Sequence, residues 1–291
     1  MKSYTNYLTQ IARDLNKTGD TNFTPISSSW LNDGIRIAIG TSTNWKFLES
    51  TITTTTTAGT SVYFLPYNYD KLISVKILVG TYQYVVGIIK SRNEWNKVTS
   101  VVYQSDYPMY CYLNDRTIEF FPTPSTTGNT ISIYYKKRVV DLQHVDYVTG
   151  SVTATNGSAT IAGAGTTFTP SMVGRYFKVN DDGNWYLITG FTNATTISIE
   201  QPYQGLTVAG APYTIGEMSV LPENDDMIPI LYVNSQYWYQ NDDIQRASVY
   251  EKRFKEGIKN LEDENINSSM DVGLRPEVPI INPNFYPQSL S

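Results

Sequence analysis

The chain of 291 residues holds one histidine, His144, and one cysteine, Cys111. A Ser-His-Asp relay, a Cys-His pair or a histidine-rich metal cluster needs partners that one copy of each cannot supply. A single cysteine also forms no intramolecular disulfide. Cys111 lies in "MYCYLND", whose alternation reads as a strand and makes the thiol a buried small hydrophobe. His144 reads as a surface or hinge residue beside a domain junction. The glycine-rich "AGAGTT" at 162–167 lacks the following lysine and long helix of a phosphate loop. "NDDGN" at 180–184 offers part of a calcium loop without its downstream glutamate or alternating ligands, and a hairpin turn accounts for it. Glu223, Asp225 and Asp226 gather at one expected helix start, and Asp242 and Asp243 at another. Paired carboxylates can flank a sugar and hydrolyse its glycosidic bond. Acids at helix N-termini also bind free amides and complement the helix dipole. The second role needs no further assumption, so the residues point to no enzyme, no cofactor and no metal site.

The elements that would hold such groups follow from composition and period. Charged residues are sparse, whereas Thr, Asn, Ser and Tyr are plentiful, which favours β-structure and polar contact surfaces. The formal charge is −5, against the basic excess that gripping a nucleic-acid backbone requires. The one basic cluster, Lys136-Lys137-Arg138, ends a strand. No apolar run of about 18 residues suggests a membrane-spanning helix, and "MKSYTNYLTQ" lacks the apolar core of a secretory signal.

Tyr4, Tyr7, Leu8, Ile11 and Leu15 recur at helical spacing and predict a helix over about residues 3–17. "FTPISSSWLNDGIRIAIG" predicts a second, with serines 27–29 as its cap and Leu31, Ile35, Ala38 and Ile39 as its stripe. The period then drops to two. "TSVYFLP", "KLISVKILVG", "TYQYVVGIIK", a hairpin in "YCYLNDRTIEFFP" and "NTISIYYKKRVV" predict one β-region, with "SRNEWNKVTS" as a short helical turn. From about 145 to 216 come roughly six short strands, with turn signals at Asn156-Gly157 and Asp182-Gly183. These suggest a small β-sandwich or partly closed barrel whose core includes Tyr176, Phe177 and Trp185. Two helices follow, the first capped by Asn224 or Asp225 and the second recapped at Asn241-Asp242-Asp243. The second carries an apolar face of Ile244, Ala247, Tyr250 or Val249, Phe254, Ile258 and Leu261.

The fold class is therefore α+β. A helical unit is built from both termini (1–50 and 217–265), with a β-rich insertion (51–144), a second small all-β module (145–216) and an extended C-terminal arm (266–291). Two helices at each end bury their stripes most economically against one another. Val278, Ile280, Ile281, Phe285 and Tyr286 put apolar residues on a proline-rich segment that cannot be a regular helix. Such an arm suits docking in a groove or on a sheet edge of a neighbour. The 23 tyrosines are spread through strands and helices, where they serve core and subunit interface alike.

Several segments together resemble the head-to-tail adaptor proteins of short-tailed bacteriophages. These are the N-terminal helix pair, "VYFLPYNYDKLISVKI", "LNDRTIEFFPTPSTTGNTISIYYKKRVVDL" and "NDDIQRASVYEKRFKEGIKNL". The segment from Gly150 to Gly205 is similar to a small β-repeat of phage tail and virion proteins. The resemblance implies a virion protein at the head–tail interface, synthesised in the host cytoplasm. It implies a ring of neighbouring copies, commonly dodecameric, docked beneath the portal protein and extending the DNA channel, with tail nozzle or tail fibre proteins attached below. It assigns portal docking to the C-terminal arm and passage of DNA without specific binding to the channel. Two other readings stay open: a fibre-attachment or receptor- and glycan-binding tail protein, and a cell-wall glycan hydrolase using Glu223 and Asp225.

Overall fold

The structure is a computed structural model that describes residues 2–66 and 68–270, the side chains of 266–270 excepted. It is a mixed α+β chain with five α-helices and two seven-stranded sheets among the described residues.

Helix α1 (Tyr4–Asp14) is capped by Ser3, whose Oγ accepts the Asn6 amide at 3.3 Å, and it buries Tyr4, Tyr7 and Ile11. It stops where Asn16 takes a positive φ of 56°. Helix α2 (Phe23–Gly40) starts earlier than its serines suggest. Asp20 accepts the amides of Asn22 and Phe23 at 3.1 and 3.2 Å and so does the capping that serines 27–29 were expected to do. Ser27 instead lies inside the helix and donates back to the Thr24 carbonyl.

At the far end of the chain lie α4 (Ile228–Gln240) and α5 (Ile244–Met270). No side chain caps α4, contrary to the expectation for Asn224 and Asp225. Asp243 does cap α5, accepting the Arg246 amide at 3.0 Å. On α5, Ala247, Phe254, Ile258 and Leu261 are buried, but Ile244 and Val249 are exposed, so the apolar face begins one turn later than its sequence pattern implies. One hydrophobic cluster combines Tyr7, Ile11, Leu31, Ile35 and Trp45 from the N-terminal side with Ile230, Val233, Phe254 and Leu261 from the C-terminal side. Two glycines allow the approach. A Cβ on Gly34 would meet Tyr232 at 3.0 Å, and one on Gly257 would meet Ile228 at 3.1 Å.

Between these helix pairs the first sheet runs in the order β1 (Glu49–Thr55), β9 (Thr130–Lys137), β3 (Tyr69–Val79), β4 (Tyr82–Ile89), β6 (Tyr110–Asn114), β7 (Thr117–Phe121) and β2 (Val62–Phe64). All its pairings are antiparallel except β4–β6, which are joined by a crossover through α3 (Arg92–Val98). Trp95 anchors α3: it is buried, stacks on Tyr112 and donates its indole N–H to Glu119 at 3.0 Å. A minor pair, β5 (Gln104–Ser105) and β8 (Thr123–Pro124), flanks this sheet. Its core consists of the sheet's own inward residues, among them Val75, Ile77, Cys111, Phe120, Ile131 and Ile133.

The second sheet has the order β15 (Val208–Ala211), β10 (Ser151–Ala154), β11 (Thr160–Ala164), β14 (Thr196–Ile199), β13 (Tyr186–Asn193), β12 (Tyr176–Val179) and β16 (Tyr213–Gly216). Every pairing is antiparallel. The Asn156-Gly157 turn is wider than a two-residue hairpin, because Ala154 pairs with Ile161 and leaves 155–160 as the connection. Phe168, Phe177 and Tyr213 pack ring against ring inside, and Tyr213 donates its hydroxyl to the Thr149 carbonyl at 2.6 Å.

Candidate interaction surfaces

The side chains with chemical potential are engaged in holding the fold. Cys111 is fully buried, and burial pushes its thiol up to about 12, out of reach of a thiolate at neutral pH. His144 sits at the junction between the two sheets. Glu217 accepts its backbone amide and that of Gln143 at 2.7 and 2.6 Å, and its other oxygen lies 3.4 Å from the His144 Nδ1. The "AGAGTT" segment ends β11 and turns; Thr166 donates to the Ala194 carbonyl at 2.9 Å. In "NDDGN", Asp182 accepts the Asn184 amide and the Tyr186 hydroxyl, which shapes the β12–β13 turn. No group of three or more His, Cys, Asp or Glu that could hold a metal occurs among the described residues.

The acids before α4 separate in role. Asp226 is buried and accepts the Tyr7 hydroxyl at 2.8 Å. Desolvation raises its carboxyl above the ordinary range, against the opposing effect of the Tyr7 hydrogen bond. Asp225 is raised by burial and then by the nearby charges of Glu264 and Asp226. Asp226 thus ties α1 to the segment entering α4. In the basic cluster the Lys136 side chain is engaged locally, donating to the Thr43 carbonyl and to Asn44.

A polar hub fastens the second sheet to the helices. Arg175, the residue before β12, is buried and donates Nη2 to the Val145 and Ile215 carbonyls at 2.8 and 3.2 Å. Desolvation lowers its pKa, partly countered by Glu217 and Asp146. Asp146 accepts the Ser3 hydroxyl at 2.7 Å and donates its amide to Thr5 at 2.8 Å. Ser3 also forms a bridge with Met218, so the first residues of α1 are stitched to both ends of the module. No sequence signal links 3, 146, 175 and 217.

Of the residues assigned to the module's core, Phe177 is fully buried and central. Tyr176 is half-buried. Trp185 is also half-buried and stands outside the core cluster, with the Lys178 ammonium 5.5 Å from its ring centre. The inward place belongs to its neighbour Tyr186, because Phe177 pairs with Tyr186 and opposed residues share a face. The arm residues Val278, Ile280, Ile281, Phe285 and Tyr286 lie outside the described residues.

A core-facing row of the first sheet stays uncovered. Tyr84 pairs with the buried Ile77, Val86 with the buried Val75, and Ile88 with the buried Cys111, so this row of β4 faces the core. Val86 is 2% exposed, yet Tyr82, Tyr84 and Ile88 are 68%, 40% and 37% exposed. Tyr107 joins them, edge-on to Tyr84 with ring centres 5.2 Å apart. Residues on the core side of a sheet that stay open to solvent mark a missing covering layer. Phe64, Val85 and Val102 add further exposed apolar side chains on other parts of the same unit.

No helix among the described residues is long and apolar enough to cross a membrane. No curated protein matches the chain. The sequence profile of the SU10 adaptor protein family matches residues 2–156, just over half of the chain. That span takes in α1, α2, the whole first sheet with its open row, and β10 of the second sheet. The chain therefore belongs to the SU10 adaptor protein family, phage structural adaptors of the head–tail interface of the virion.

Proposed function

We propose that copies of this chain close into a ring beneath the portal, extend the channel through which DNA passes, and present a surface for tail nozzle or fibre proteins. The observation that carries this reading is the open core-facing row Tyr82, Tyr84 and Ile88 inside the family-matched span. A closed ring joins two different surfaces of each subunit, and exposed tyrosines beside a sheet core suit one of them because their rings pack while their hydroxyls stay satisfiable. In this reading the units 1–50 with 217–265 and 51–144 form the ring body. The module 145–216, most of it beyond the matched span, reaches a fibre or another tail part at the periphery. Helix α5 continues through 266–270, so the arm starts after Met270 rather than at 266. In this reading that arm, with Val278, Ile280, Ile281, Phe285 and Tyr286, takes part in portal docking. The role requires no reaction and no cofactor. With a formal charge of −5, the channel lets DNA slide rather than holding its phosphates.

The test is assembly with portal rings followed by electron microscopy. A ring added to one end of the portal is the expected result, with weak DNA binding by the isolated ring at moderate salt. Failure to add to the portal, or tight DNA binding, contradicts the proposal.

A further inference from the structure

The loop that follows α3 carries Val101, Val102 and Tyr103, and no other three consecutive large apolar residues are all exposed among the described residues. Val102 is 98% exposed. The loop is nevertheless held at both ends. The Thr99 amide donates to the Trp95 carbonyl at 2.9 Å as α3 finishes, and the Tyr103 carbonyl accepts the Thr123 amide at 3.1 Å just before β5. Trp95 is itself fixed to Glu119 of β7. An apolar tip on a fixed base loses little freedom when it docks.

The tip stands on the opposite face of the sheet from the open row. Val101, Val102 and Tyr103 share a groove with Glu119 and Phe121, which alternate along β7 with the buried Ile118 and Phe120 and therefore point away from the core. Tyr82, Tyr84 and Ile88 lie on the core side. A copy cannot lay this loop over its own row. The core side is also the hollow side. Tyr63 of β2 and Ile133 of β9 enter one cluster although four strands separate them in the sheet order, so the sheet curls around this face. A hollow face accepts a projecting loop. No charged residue falls between Tyr82 and Ile88 or between Ser100 and Ser105, so contact between the two stretches buries no unpaired charge from either. A closed ring joins two unlike surfaces of each subunit. Here one sheet carries an apolar tip on one face and an uncovered apolar hollow on the other.

We propose that the 101–103 loop of one copy seats in the hollow face of the next, with Val101 and Val102 covering Tyr82, Tyr84 and Ile88. This pairing rests on the ring reading and adds to it the second surface of the contact. The test uses two full-length variants, Val101→Ser/Val102→Ser and Tyr82→Ser/Tyr84→Ser, each studied alone and then mixed in equal amounts, with masses read by light scattering. Alone, each should associate at least about tenfold more weakly than the parent, because apolar anchors dominate such contacts. Mixed, they should form a dimer and nothing larger, since each pair holds one intact loop and one intact hollow. Val102→Glu alone, at a position the fold leaves in solvent, should weaken association as well. Valine variants that assemble like the parent, or a mixture that stays monomeric while the parent forms rings, would overturn the pairing and leave the ring standing. A parent that never associates with itself would overturn the ring reading, and the pairing with it.

Discussion

In the second sheet the inward residues of β13, Tyr186 and Ile188, are both buried under the packed rings of Phe168, Phe177 and Tyr213. In the first sheet the inward row of β4 runs Tyr82, Tyr84, Val86, Ile88, and only Val86 is covered. Both sheets have seven strands, and both lie between the two helix pairs in sequence. They differ in what completes them. The second sheet closes on its own aromatic core and turns few large apolar residues outward. The first sheet leaves part of its core row open, and this open row lies in the span shared with the adaptor family. In the proposed ring, the sheet that completes itself is the addition and the sheet with the open row is the one that meets a neighbour.

Changes that unbalance this comparison should rank in a clear order. The largest effect belongs to Phe177→Ala, which empties the centre of the self-contained core; truncating a buried phenylalanine costs about 3–5 kcal/mol. Urea unfolding should show the second sheet lost at lower denaturant than the rest, and one unchanged transition would contradict the idea that this core stands by itself. Arg175→Met should come next. It withdraws the donor from the Val145 carbonyl and the cation from beside Asp146 and Glu217, at a cost of about 1–3 kcal/mol. Limited proteolysis should then cut at 141–147, between the two sheets, and a cleavage pattern identical to the parent's would argue against the hub as the fastening. Polar replacement of the open tyrosines should affect stability least, within about 0.5 kcal/mol, since exposed positions contribute little to the folded subunit.

Much of the architecture was legible in the sequence because period and burial agree. The stripe Leu31, Ile35, Ala38 and Ile39 of α2 and the alternation Ile131, Ile133, Tyr135 of β9 read directly as inward faces. The misreadings were local contests decided by neighbours. Serines 27–29 looked like a cap, but Asp20, set further upstream by the preceding turn, reaches the free amides first. Trp185 looked like the core anchor because it is the largest apolar side chain nearby, but the β12–β13 register gives the inward position to Tyr186. Ile244 fits the stripe of α5 yet lies at the helix start, where no neighbour covers it. The candidate surfaces were less legible. Tyr82 and Tyr84 were read as interface or core alike, and only the pairing with Val79 and Ile77 shows that they face inward and lack cover. The hub of Ser3, Asp146, Arg175 and Glu217 joins positions scattered along most of the chain, with no motif to connect them.

In the proposed ring, copies meet at the first sheet's open row. The most direct measurement is the mass distribution of the assembled protein in solution for Tyr82→Ser/Tyr84→Ser beside Val148→Ser/Leu206→Ser, which alters exposed apolar residues of the second unit. The tyrosine variant should keep the parent's circular dichroism but remain monomeric, while the second variant should assemble into rings like the parent. Rings of parental mass from the tyrosine variant would contradict this.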